Sequence, residues 1–298
     1  MRKQLNGHTY LTTEGDNMEA IIIQNDQLQV TISPLGAQML RIVDAHGDRL
    51  WGGDPDIWGS HAPVLFPVAG ALTNNQYRYD GKTYTMGRHG FARTSLFTIT
   101  EHTQKAASFL LDTPQDNYPF NYAFSVHYRL DANRVVVTYE MANNGTGPMY
   151  ASVGAHEAYA IQGELSDWQL VFDMHERIET REMVNGQLSG ARKLYAVHDD
   201  TLPMNEDMFY CDTMVFADLH SRGVTLRSDH HPASVHVSFD GMDYLMIWKK
   251  PGAPFLCIEP WCNPPEPVGF RGDLTQKPGI IHIPAGDRVQ KTHVITLR

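Results

Sequence analysis

The stretch Arg134–Met141, RVVVTYEM, decides how the rest of this 298-residue chain reads. Its β-branched and aromatic residues follow a period of two, the spacing at which successive side chains leave opposite faces of a strand. The same signature recurs on both sides of it, in Gln27–Ser33 (QLQVTIS), Ser108–Asp112 (SFLLD), Ser234–Phe239 (SVHVSF) and Tyr244–Lys249 (YLMIWK). Turn pairs punctuate these runs: Asn25-Asp26, Asp80-Gly81, Asn144-Gly145, Asn185-Gly186 and Asp240-Gly241. Asp80-Gly81 lies between Gln76–Tyr79 and Lys82–Met86 and predicts a hairpin, because both central positions of a type I′ turn take positive φ. No long window carries a helical period, and helical turns are confined to short pieces near Asp54–Trp58 and Asn205–Phe209.

Strands this numerous predict an all-β protein, a large antiparallel β-sandwich of two packed sheets. No repeat, low-complexity tract or linker interrupts the pattern. It is therefore expected to form one domain over residues 19–298, behind a polar lead-in of residues 1–18. The Pro-rich segment Glu259–Pro267, EPWCNPPEP, reads as an ordered loop.

Composition narrows the function. Apolar residues make up 42% and charged residues 19%, enough for a sizeable core. A formal charge of −10 with no Lys/Arg cluster argues against nucleic acid, whose phosphates need a positive field. Three cysteines, Cys211, Cys257 and Cys262, make an odd set without paired spacing, which fits reduced thiols in a cytoplasm. The first residues carry no apolar run after their basic start, and nothing approaches the roughly 20 apolar residues of a membrane span. A cytoplasmic protein without a membrane partner is the expectation. Asn144-Gly145-Thr146 matches a glycosylation acceptor but, without an export signal, reads as a turn.

Four strings concentrate polar and aromatic residues: Trp58–Leu72 (WGSHAPVLFPVAGAL), His89–Arg93 (HGFAR), Val153–Tyr159 (VGAHEAY) and Leu256–Cys262 (LCIEPWC). Glu259 follows an apolar strand, where an unpartnered carboxylate is costly, so it either holds an ion pair or faces a ligand cavity. Trp261 suits stacking on the C–H face of a sugar and suits a core equally well. Arg93 reads as a ligand clamp or an ion-pair partner. His156-Glu157 opens like a zinc-protease HExxH, but Ala160 stands where the second His belongs. His230-His231 with His236 is a weak metal candidate, since neighbours on a strand point to opposite faces. Phosphate-binding and nucleophile-elbow motifs are missing.

Together these strings resemble the bacterial aldose 1-epimerase-like branch of the galactose mutarotase superfamily. The resemblance runs from about Glu19 to the end of the sequence. It takes in Gly36-Ala37-Gln38-Met39, Leu50-Trp51-Gly52-Gly53-Asp54, Trp58, Ala62-Pro63-Val64-Leu65-Phe66-Pro67, Asp80-Gly81-Lys82, His89-Gly90-Phe91-Ala92-Arg93 and Glu259-Pro260-Trp261. It implies a supersandwich of the galactose mutarotase-like kind with a monosaccharide on its concave face and no metal or organic cofactor. It also implies His156 as general acid, Glu259 as general base, and His89 and Arg93 at the sugar; Trp261 joins them as an aromatic substrate contact. Two departures stand out. Related sequences read Gly-His-Pro where this one has Ala155-His156-Glu157, and an added carboxylate pointing the same way as His156 would raise its pKa. Many relatives also carry an Arg after Phe-Pro-x-x-Gly, where this chain has Ala71.

Such a pair supports mutarotation. Glu259, ionised, takes the O1 proton while His156, as imidazolium, protonates the ring oxygen; the C1–O5 bond opens, C1–C2 rotates, and closure reverses both transfers. A glycoside hydrolase would want two carboxylates, and only one is evident. A sugar-binding or sensing protein of the same fold and a hexose-6-phosphate 1-epimerase are the alternatives. With Arg93 as the one clear cation near these strings, and Arg78 and Arg88 read as solvated, a free aldohexose is expected over its 6-phosphate.

Overall fold

A computed structural model describes residues 19–298 and the backbone of two short strands, Arg2–Leu5 and His8–Leu11, which pair with each other. The rest of the expected lead-in of residues 1–18 lies outside the described residues. The strand Arg134–Asn143 does what its alternation dictates. Val135, Val137, Tyr139 and Met141 are buried on one face, while Val136, Thr138 and Glu140 lie on the other. It pairs antiparallel with Tyr122–Asp131 on one side and Arg288–Leu297 on the other, deep inside a 13-stranded sheet. A second sheet of four strands is built from Ile21–Gln24, Gln29–Ile32, Met39–Asp44 and Gly47–Asp48. This is an antiparallel sandwich of 53% strand and 6% helix. Among the described residues helix is limited to 3-10 turns such as Glu206–Phe209. Among the described residues no helix is long and apolar enough to cross a membrane.

The core is aromatic. Phe66 stacks flat on Phe124 at 4.1 Å between ring centroids and meets Phe91 and Tyr118 edge-on, which ties the loop carrying Phe66 to the large sheet. The expected hairpin forms over Gln76–Tyr79 and Lys82–Thr85, with Asp80 at φ 48° and Gly81 at φ 72°. Asn185 and Gly186, both left-handed, turn a far longer one, Trp168–Val184 with Gln187–Pro203.

One edge of the large sheet positions the site. There Glu157–Ala160, Phe255–Trp261, Tyr244–Trp248 and Thr213–Ala217 lie side by side. The strand runs through Glu259 and Pro260 to Trp261, so the first three residues of the expected 259–267 loop are ladder residues. Pro260 is tolerated because its strand partner ends at Glu157 opposite Ile258; past that point its carbonyl accepts from the Ala155 N–H at 2.9 Å and no donor is missed.

Candidate active site

Along Phe255–Trp261 the residues Cys257, Glu259 and Trp261 share a face, by the two-residue period of the strand. Glu157 stands opposite Ile258 in register and therefore shares the other face. It points into the core, where its Oε1 lies 3.2 Å from Nε2 of buried His293. The carboxylate next to His156 thus does not point with it, and the expected increase in the His156 pKa from that source is absent. His156 turns the opposite way, onto the Glu259 side.

His89, Arg93, His156, Glu259 and Trp261 come together around one cavity of about 130 Å³. His156 Nδ1 lies 3.4 Å from Glu259 Oε1, with both side chains buried. The imidazole is clamped by rings: Trp58 stacks on it at 5.3 Å, and Trp248 and His89 meet it edge-on. Trp261 is only 4% exposed and donates its indole N–H to the Ala155 carbonyl at 3.0 Å, so it braces the cavity as well as lining it. Its ring edge lies so close to Gly154 that a Cβ there would sit 2.7 Å from Trp261 Cδ1. His89 accepts at Nδ1 from the Gly70 N–H, at 3.1 Å, which leaves Nε2–H of the neutral ring as its free donor. The turn that holds His89 needs glycine at position 90: φ is +71°, and a Cβ would lie 2.2 Å from the Phe66 carbonyl oxygen.

Burial dominates the electrostatics. It pushes His156 down to about 3, helped by the positive charges of Arg93 and Arg88. It holds Glu259 well above the usual carboxylate range, with buried Glu157 adding to the effect. His89 is likewise held well below the ordinary imidazole value by burial, with His156 and the two arginines contributing. Burial thus opposes charge on both groups and favours a single proton on the carboxyl over an imidazolium–carboxylate pair. These shifts run against the charged starting form expected from sequence, because both groups are buried.

His156, Cys257 and Glu259 also bring one donor atom each within 4.8 Å of one another, the one such trio among the described residues. A metal would have to displace protons from a thiol and a carboxyl whose pKa values burial raises.

Among the cavity residues that sequence reading missed are Asp212, Trp248 and Arg88. Asp212, in a left-handed turn, accepts from the Trp248 indole N–H at 2.7 Å and adds a second carboxylate to the lining. Trp248 itself carries no signal beyond strand composition. Arg88, read as solvated, is exposed yet lines the cavity beside Ala71 and Gly186. The metal candidate His230-His231 with His236 dissolves: His231 stacks on Trp168, and His236 pairs with Asp173.

An antiparallel supersandwich with a buried imidazole–carboxyl pair in an aromatic cavity defines a class of protein, and similarity to known proteins narrows it. The sequence profile described as aldose 1-epimerase matches residues 19–279. Protein LacX, chromosomal, of Lactococcus lactis subsp. lactis is 29% identical over 295 residues, covering 93% of this chain and 99% of that one. The structure of a galactose mutarotase related enzyme from Lactobacillus acidophilus superposes with a TM-score of 0.87 at 30% identity, over 94% of this chain and 97% of that one. A galactose mutarotase-like protein from Lactobacillus casei ATCC 334 gives 0.88 at 27% identity, over 94% and 100%. The chain belongs to the aldose 1-epimerase family.

Proposed function

We propose that this protein is an aldose 1-epimerase that interconverts the α and β anomers of an aldohexose, with His156 and Glu259 as its acid–base pair. The carrying observation is the 3.4 Å contact between His156 Nδ1 and Glu259 Oε1 in a cavity walled by Trp58, Trp248 and Trp261. Anomer exchange needs one proton removed from O1 and one supplied to O5, and a pair that holds a single proton matches that requirement. A bound sugar brings hydroxyls that can hydrogen-bond the charged forms of both groups. Passing the shared proton from Glu259 to His156 then creates the carboxylate base and the imidazolium acid. His89, with Nε2–H free, and Asp212 orient ring hydroxyls. Each positioned group is worth about 10²–10⁴ in rate, enough for a reaction that already proceeds in water.

The test is anomer exchange followed by polarimetry or NMR on free and phosphorylated aldoses. Glu259→Gln and His156→Asn each lower kcat by about 10²-fold or more in folded protein. Near-wild-type turnover in either variant would remove that residue from the mechanism. Saturable sugar binding with no acceleration by the wild-type protein would leave a sugar-binding protein instead.

A further inference from the structure

We propose that a second cavity, lined by the buried ion pair of Glu266 and Lys277, binds a small organic carboxylate with an apolar body. The site shares no lining residue with the catalytic cavity and stands whether or not the epimerase reading holds.

This cavity measures about 210 Å³, against about 130 Å³ for the catalytic one, and has room for about seven waters at their liquid volume. Glu266 stands near the end of the Pro-rich segment, and Lys277 follows the 3-10 turn Leu274–Gln276. Their side chains are 3% and 1% exposed and meet at 3.2 Å. Glu266 is saturated: Oε1 accepts from Lys277, and Oε2 accepts from the Thr73 N–H at 2.8 Å and the Thr73 hydroxyl at 2.9 Å. Lys277 is not. An ammonium carries three N–H donors, and among the described residues Nζ has one acceptor, Glu266 Oε1. Burial works against its charge, and Glu266 offsets part of that effect. A buried ammonium with donors to spare in the wall of a cavity calls for a further acceptor.

The rest of the lining indicates what carries that acceptor. Tyr77, Phe270 and Leu274 supply apolar wall. Gly272 gives the Phe270 ring its place, since a Cβ there would lie 2.7 Å from Phe270 Cζ. Arg78 and Arg271, both exposed, add two guanidinium groups. Asp273 lies outside the lining but is bridged to Arg78 through the backbone. Arg78, Arg271 and Lys277 set against Glu266 and Asp273 leave one positive charge over. A carboxylate matches that surplus, and its two oxygens can accept from Lys277 and from a guanidinium fork while the apolar body meets the aromatic wall. A phosphate group, at a charge of about −1.5 to −2, exceeds the surplus, and a neutral compound brings no charge to it. Glu266 and Thr73 also brace the catalytic cavity: Thr73 Oγ1 accepts from Gln187 Nε2 at 2.7 Å, and the Glu266 carbonyl accepts from the Leu188 N–H at 2.8 Å, just past Gly186. The readout that isolates the second site is therefore binding and not turnover.

Binding of benzoate, hexanoate, benzamide and inorganic phosphate to the full chain is followed by calorimetry and ligand-observed NMR. The proteins are wild type, Arg271→Gln, Arg93→Gln and the paired change Lys277→Met with Glu266→Gln. Changing both members of the pair avoids a buried charge without its partner, and Arg271→Gln, at an exposed position, keeps the test open if the paired variant fails to fold. A carboxylate is expected to bind with a Kd of about 1 mM or below, and benzamide about tenfold or more weakly than benzoate. Arg271→Gln and the paired change are each expected to weaken the carboxylate by about tenfold, while Arg93→Gln, in the catalytic cavity, leaves it unchanged. Absence of carboxylate binding at that level overturns the proposal and leaves the cavity to water alone. So does an amide as good as its acid, or phosphate bound more tightly than either acid. Carboxylate binding that neither site variant weakens, or that Arg93→Gln abolishes, overturns it as well.

Discussion

Replacing His156 by Asn isolates the protonation state of the resting pair through stability alone. The imidazole is pushed from 6.5 to about 3 in the folded protein, chiefly by burial. Over this range the unfolded chain binds a proton at His156 and the folded protein does not, so acid favours unfolding. The contribution is intact above the unfolded value and is lost as pH falls toward the folded one. Integrating the difference in proton binding gives about 2 kcal/mol of stability lost between about pH 7 and about pH 5 through this one residue. The figure hardly changes if the folded value lies a unit higher, because His156 stays neutral across the window. Urea unfolding of both proteins at the two pH values, read with a common m, measures it. Each protein is compared with itself, so the packing lost against Trp58 drops out. Glu259, whose pKa burial raises, and His89, whose pKa burial lowers, are common to both proteins, so their own pH dependence cancels to first order in the difference. The variant is expected to be less acid-sensitive than wild type by about 2 kcal/mol over this interval. Equal pH dependence would mean that His156 charges as an ordinary imidazole. A variant more acid-sensitive than wild type would mean that the resting pair is imidazolium–carboxylate, with His156 raised instead of lowered.

The same proton shapes the rate profile. With a free hexose as substrate, kcat/KM should hold well below the ordinary histidine range, since a second proton reaches the pair only near the depressed His156 value of about 3. A fall centred near 6.5 would contradict this. The alkaline limb reports loss of the pair's last proton and should weaken in His156→Asn; an unchanged limb would assign it to another group. Gly154→Ala places a methyl 2.7 Å from Trp261 Cδ1 and 3.2 Å from the Ala69 Cβ. The ring must move, with a stability loss of about 1–3 kcal/mol and a drop in turnover measured on folded protein; wild-type stability and rate together would show that the contact is soft.

Local chemistry wrote much of this protein into its sequence. Alternation at Arg134–Met141 demands a strand whatever surrounds it, because the period of two is a property of the backbone. Asp80-Gly81 demands its hairpin because few other pairs take left-handed φ twice in succession. Glu259 after Leu-Cys-Ile announces a carboxyl at the end of a buried strand, a costly placement that asks for a ligand or a partner. The tertiary structure alone decided the rest. Whether Glu157 faces the cavity or the core depends on which residue of Phe255–Trp261 stands opposite it, and a slip of one residue would exchange the two faces. Arg88 meets Gly186 across 98 positions of sequence, at the tip of a hairpin whose reach follows from its twist and packing and from no local motif. The opposed pKa shifts of His156 and Glu259 come from burial, which belongs to no single residue: it exists only once Trp58, Trp248 and the sheet edge have closed around both groups.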